Sequence, residues 1–291
     1  MRNDRSAVPL LVALLGMALF TAMDAMVKGL TPHFPTFQIV CLRFLFTAIW
    51  IGVALLVLRP GWPRRDKVAA HALRAVLMVA TAVCFFYALG QVPLAELFAL
   101  SLTSPLFIAL FGALFLRERL SPVLLVAIAI GFCGVLVIMR EGFGGIDAIA
   151  PLALGAAILA PVTYALGIVL LRSQTAHEPL TVIVFMQSLF VALFTAPVAL
   201  AEFVWPNADL WLRFFAVGLL GTIGYLCFAY ALSRTSAARF SVVEYSGLLW
   251  AALLGYVFFA EVPRVGVWLG AGLIVAACLL ALRDKDAPEP G

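Results

Sequence analysis

Ten apolar runs of about 18–24 residues, each closed by a Gly/Pro turn or a knot of charges, fill the chain from Val8 to Leu282. A helix rises 1.5 Å per residue, so runs of this length cross the hydrocarbon core of a bilayer. Of the 291 residues 65% are apolar and 12% charged, with a mean hydropathy of +1.12. A soluble domain carries about 25% charged residues, so this chain has too little polar surface to face water. The runs lack the ~10-residue alternating pattern of an outer-membrane barrel. Helices satisfy their own backbone groups in lipid, so the expected fold is an all-α integral membrane protein of ten transmembrane helices. The spans read as 8–30, 35–58, 68–90, 93–116, 122–139, 148–171, 179–200, 209–232, 239–260 and 264–282.

Breakers separate the spans. Pro32 and Pro35 end the first, Pro60, Gly61 and Pro63 the second, and Gly90-Gln-Val-Pro93 the third. Ser121-Pro122 fits an N-cap followed by proline at the first helical position. Trp205-Pro206-Asn207 is a turn, 140–147 a Gly-rich linker, and 283–291 a charged, Pro-containing tail. Arg2 and Arg5 before an apolar stretch resemble a signal peptide, but no clear small-residue cleavage site follows, so an uncleaved first span is expected. The five cysteines lie inside apolar runs with no paired spacing, which argues against a metal or redox centre. They read as small apolar fillers.

The second strong pattern is internal. Residues 87–139 fall without a gap on 230–282 at an offset of 143. Tyr87-Ala-Leu89 matches Tyr230-Ala-Leu232, Gly112 matches Gly255, Phe115 matches Phe258 and Glu118 matches Glu261. A duplication with an odd number of spans per half turns the second copy upside down. Two five-helix inverted-topology repeats follow, at 8–139 and 148–282. Placing the N-terminus inside puts fourteen Lys/Arg at cytoplasmic ends against four outside. The positive-inside rule then sets both termini in the cytoplasm, and explains the net charge of +4 without nucleic acid.

The residues at 111–138 and 254–281, and the opening 18–48 with Lys28 and Arg43, resemble the ten-helix EamA-type transporters of the drug/metabolite transporter superfamily. The resemblance covers nearly the whole chain. It implies a central cavity between the halves, lined mainly by spans 1, 3, 4, 6, 8 and 9. It also implies a small organic solute such as an amino acid, a nucleoside-like compound or a vitamin. Inverted repeats of this kind commonly hold their site near the midplane, between the halves.

Ionisable residues inside spans are costly and mark function by default. Asp24 lies ~9 Å and Arg43 ~12 Å from the outer face at 1.5 Å per residue. With Lys28 and Glu96 they are expected to form an outer polar cluster in which Asp24 and Arg43 neutralise each other. Either they are a fixed ion pair tying spans one and two, or Asp24 carries a coupling proton or a cationic part of the substrate. Lys28 reads as a residue reaching back to the interface. On the inner side Arg43 maps to Gln187, Glu96 to Arg239 and Ser101 to Glu244, and an Arg74–Glu244 pair is expected. The matched acids Glu118 and Glu261 read as scaffold.

Between these ends the path is apolar and aromatic. Phe20, Ser104 beside Pro105, Tyr164 near Pro161, Tyr225 and Trp250 are the candidate lining residues. Proline at 105 and 161 is expected to kink a continuous helix. Gly131, Gly134, Gly266, Gly270 and Gly272 suggest close packing of spans five and ten, or a dimer face. No nucleophile, base or metal set sits at depth, and no phosphate loop occurs. The expectation is therefore a non-enzymatic, cofactor-free secondary transporter in a bacterial inner membrane, a monomer or homodimer. Its partners would be a small solute and lipid, with proton coupling and facilitated exchange left as equal alternatives. A channel or lipid scramblase is the rival reading.

Overall fold

The chain is seen in a computed structural model that describes residues 8–58, 68–116, 122–138, 140, 151–172, 179–232 and 237–282. They form eleven helices: α1 Val8–Leu30, α2 Thr36–Leu58, α3 Val68–Leu89, α4 Leu94–Ser101, α5 Ser104–Leu116, α6 Pro122–Val137, α7 Pro151–Arg172, α8 Leu180–Ala201, α9 Ala208–Leu232, α10 Ala237–Phe259 and α11 Val265–Leu282. Six are long and apolar enough on their own to cross a bilayer. With α4–α5 counted as one span, they make ten. The linker at 141–147, the tail at 283–291, Ser121 and Glu118 lie outside the described residues.

The two halves interlock. Helix α1 packs on α9, and its repeat equivalent α7 packs on α3, the equivalent of α9. The pairs α2 with α8, α4 with α10 and α6 with α11 each join equivalent helices of the two halves. This pattern is what a two-fold axis between the halves produces, and it puts the core on that axis. Val27, Ile39, Ala88, Leu97 and Phe214 are fully buried there, while Leu14, Leu56, Leu114 and Leu193 point outward. An apolar exterior of this kind needs lipid to cover it.

The fourth span departs from the sequence reading. It is broken, not kinked: α4 ends at Ser101 and α5 starts at Ser104. Three hydroxyls occupy carbonyls around the break. Ser101 Oγ donates to Leu97 O (2.9 Å), Thr103 Oγ1 to Leu100 O (2.7 Å) and Ser104 Oγ to Ser101 O (2.7 Å). Short polar side chains compete with the helix for its own carbonyls, and Pro105 brings no N–H to restore the ladder. In α7, Pro161 is tolerated inside a continuous helix.

Spans five and ten do pack together, as the glycines suggested. Gly134 of α6 and Gly270 of α11 bring the two backbones into contact. A Cβ on Gly272 would meet nothing within 4 Å, so it has no part in this approach.

Two joints fix the loops at the α1–α2 end. Gln38, fully buried, donates from Nε2 to Val204 O (2.7 Å) and accepts the Val204 N–H at Oε1 (2.9 Å). Asn207 caps α9 by accepting the Leu210 N–H at 2.9 Å.

Candidate functional site

Among the described residues, the charged side chains set within the bundle fall into three groups, not the two that the sequence suggests. The first closes the end of the bundle where α1 finishes. Lys28 Nζ lies 2.5 Å from Glu261 Oε1 and donates to Val92 O at 2.6 Å. The other oxygen of Glu261 accepts the Leu94 N–H (2.8 Å), one of the donors left free at the start of α4. Glu261 is aimed by Ala260, whose φ of 55° is left-handed for a residue with a Cβ and costs about 1–2 kcal/mol. Lys28 is thus not simply reaching for the interface. It joins the two halves through the acid that had read as passive scaffold.

Glu96 belongs with this group and not with Asp24. It is 3% exposed in the first turn of α4, and its Oε2 has no hydrogen-bond partner. The charges acting on it are those of Arg264, Glu261 and Lys28.

The second group lies about 6 Å deeper, one helical turn before Lys28. Asp24, buried in α1, and Arg43 of α2 act on each other electrostatically. Arg43 donates from Nε to Met23 Sδ (3.3 Å), and its guanidinium lies over Phe44 at 4.6 Å and Phe86 at 5.0 Å. Ring faces attract a desolvated cation, so the guanidinium is held by aromatics as well as by the acid.

The third group is at the opposite end. Arg74, in the second turn of α3 and 3% exposed, donates from Nη2 to Ile183 O of α8 at 3.0 Å. With Thr81, Thr163, Tyr164 and Gln187 it lines a cavity of about 30 Å³. A cavity of this size holds about one or two waters and no organic solute. Thr81 Oγ1 and Thr163 Oγ1 are 2.9 Å apart and join α3 to α7 at its edge. Tyr225 of α9 feels the Arg74 charge and the Tyr164 phenol.

The structure thus brings Tyr164, Gln187 and Tyr225 together around Arg74, and the lining includes the seventh span through Gln187. Phe20 packs edge-on against Phe228, with ring centres 5.0 Å apart, at the α1–α9 contact. Ser104 is spent on the helix break, and Trp250 is half-buried on α10. The side chains of Glu244 and Arg239, and with them the expected Arg74–Glu244 pair, lie outside the described residues.

Inverted halves that interlock, a broken helix and buried charges between the halves are features found in membrane transporters. The chain belongs to the EamA-like transporter family, whose model matches residues 8–140 and again 151–283. It is 31% identical over 279 residues to the pseudopaline exporter CntI of Pseudomonas aeruginosa, covering 94% of this chain and 96% of that protein. It is 30% identical over 252 residues to a riboflavin transporter of Rhizobium johnstonii, covering 84% and 79%. An S-adenosylmethionine uptake transporter of Rickettsia felis is 23% identical over 272 residues, covering 94% and 91%. A solved crystal structure shares the fold at a TM-score of 0.65 and 23% identity, covering 94% of this chain and 96% of that one.

Proposed function

We propose that this protein is an alternating-access carrier of a small organic metabolite in a bacterial plasma membrane, with both termini in the cytoplasm. The interlocking of the halves supports this reading most directly, because rocking one half against the other opens the two ends in turn. The Lys28–Glu261 joint closes one end, and the Arg74 group lies at the other. Between them, Asp24 and Arg43 offer an acid and a fork-shaped donor to the polar parts of a solute. Tyr164, Gln187 and Tyr225 offer hydroxyl and amide groups.

The relatives move pseudopaline, riboflavin and S-adenosylmethionine by name, so the solute class proposed is a polar metabolite with a flat or apolar part. Counterflow in proteoliposomes tests the reading. Preloaded unlabelled solute should drive saturable uptake of labelled solute. Uptake that grows linearly with concentration, with no acceleration by preloading, would indicate a channel.

A further inference from the structure

We propose that the space beside Gly167 is the subsite that sets the size of the solute, and that a flat group edged with oxygen acceptors enters it when the Arg74 end opens. The inference rests on the carrier reading above and assigns one part of that path. A glycine that packing does not explain points to it. Glycine inside a helix is less stable than alanine, because its backbone has more freedom to lose. Elsewhere in the bundle close approach accounts for it. A Cβ on Gly16, Gly134, Gly218 or Gly270 would lie less than 3.0 Å from a neighbouring atom. On Gly167, inside α7, it would meet nothing within 4 Å. Gly155 and Gly272, which also have room, face outward, and Gly29 lies in the last turn of α1. Gly167 instead lines the Arg74 cavity, between α3, α7 and α8.

The other half shows this position filled. Helix α1 falls on α7 at an offset of 144, with Ala13 on Ala157, Phe20 on Tyr164 and Lys28 on Arg172. Helix α3 falls on α9 at 143. Met23 is thus the counterpart of Gly167, and Gly221 that of Met78. Each packed pair sets one methionine against one glycine, with the two helices exchanging roles. Between α1 and α9 the seat is taken: a Cβ on Gly221 would lie 3.0 Å from Met23 Sδ, and Met23 is 2% exposed. Between α3 and α7 it is not. Met78 is only half-buried, and it leaves the Cβ position of Gly167 clear.

The lining decides what the open seat can take. Its depth is that of one missing side chain, so a planar group fits and a bulky one does not. Met78 and Ile168 offer apolar surface. The Arg74 guanidinium, the Gln187 amide and the Tyr164 hydroxyl supply donors, a set suited to oxygen acceptors along one edge. With the helices as they stand, about 30 Å³ has room for water alone. The solute group therefore enters as the α3–α7 joint parts.

Two readouts test this in the full-length protein with its five cysteines replaced by alanine. The first needs no solute. Gly167→Cys in proteoliposomes meets sulfonatoethyl methanethiosulfonate, a charged reagent confined to water, on both faces of the membrane. Val76→Cys is the control, because Val76 lies between Arg74 and Met78 in sequence but faces outward, 53% exposed. Modification is expected at Gly167→Cys and not at Val76→Cys, since only a hydrated thiol ionises and reacts. Adding Met78→Phe should slow it.

The second readout is counterflow, with labelled riboflavin and labelled S-adenosylmethionine as probes. Gly167→Ala should raise half-saturation roughly ten-fold at an unchanged maximal rate, and Gly167→Leu should abolish exchange. The unfolding temperature of Gly167→Ala should hold or rise, because the added carbon meets nothing and alanine is the better helix former. An unreactive Gly167→Cys overturns the proposal, whichever probe is carried. Full exchange by Gly167→Leu does the same and leaves the carrier reading intact. A Gly167→Ala protein with a lower maximal rate and unaltered half-saturation is equally fatal, as the glycine would then serve only helix movement. A reactive Gly167→Cys in a protein whose uptake is linear and blind to preloading would sink the carrier reading and keep this one.

Discussion

A Cβ placed on Gly270 would lie 2.5 Å from the Gly134 carbonyl oxygen, and one on Gly134 would lie 2.7 Å from that of Gly270. Each glycine is thus the space that the other's backbone occupies. In lipid no hydrophobic force drives helices together, so such close approach is a main source of helix association.

Gly270→Ala should destabilise the protein by about 1–3 kcal/mol, the usual cost of forcing an extra carbon into a packed contact. Gly272→Ala, two residues on and facing open space, should be neutral or stabilising by up to about 1 kcal/mol, as alanine is the better helix former. Thermal unfolding in detergent checks the pair. Equal effects would mean that α6 and α11 do not meet at this point.

Arg43→Met should cost about 3–5 kcal/mol by leaving the Asp24 charge buried without compensation. Asp24→Asn in the same chain should recover a large part of that loss. The double-mutant cycle should give a coupling of at least about 0.5 kcal/mol. Strictly additive losses would show that the two charges do not act on each other.

Tyr164→Phe and Gln187→Leu each remove a polar group from the Arg74 cavity. Loss of one hydrogen bond, about 1 kcal/mol, should raise the half-saturation concentration in counterflow roughly five-fold. Phe20→Leu, in the packed α1–α9 contact, should instead lower the unfolding temperature and leave half-saturation unchanged. The opposite ordering would exchange the roles assigned to the two ends of the aromatic path.

Gln38→Ala removes the side-chain partner of both the Val204 N–H and the Val204 C=O at once. The cost should be about 1–3 kcal/mol for each backbone group left unpaired. Amide hydrogen exchange at Val204 should rise before that of the helices around it. Unchanged protection at Val204 would show that the joint is not what orders the α8–α9 loop.

The fold was readable because bilayer thickness leaves few solutions for apolar runs of this length, and the breakers mark their ends. The nearness of Asp24 to Arg43 was readable for the same reason: position along one helix can be matched to position along its neighbour. The break at Leu102–Thr103 escaped because hydropathy averages over a window, although Ser101, Thr103 and Ser104 carried the signal. The partner of Lys28 escaped because Glu261 is fixed by tertiary packing and by one left-handed residue, Ala260. Arg74 was seen as half of a pair, not as the centre of a cavity. Its neighbours Tyr164, Gln187 and Tyr225 come from three other helices, and no local pattern in the sequence joins them.

The exchange of partners between the halves has a consequence during synthesis. Helix α1 packs on α9, so its main neighbour does not exist until most of the chain has left the ribosome. At about 5–20 residues per second, a nascent first helix carrying Asp24 waits on the order of ten seconds or more. During that time its acid must be sheltered by Arg43, by lipid headgroups or by the insertion machinery. The symmetry that allows the finished protein to rock is therefore paid for while it is being made.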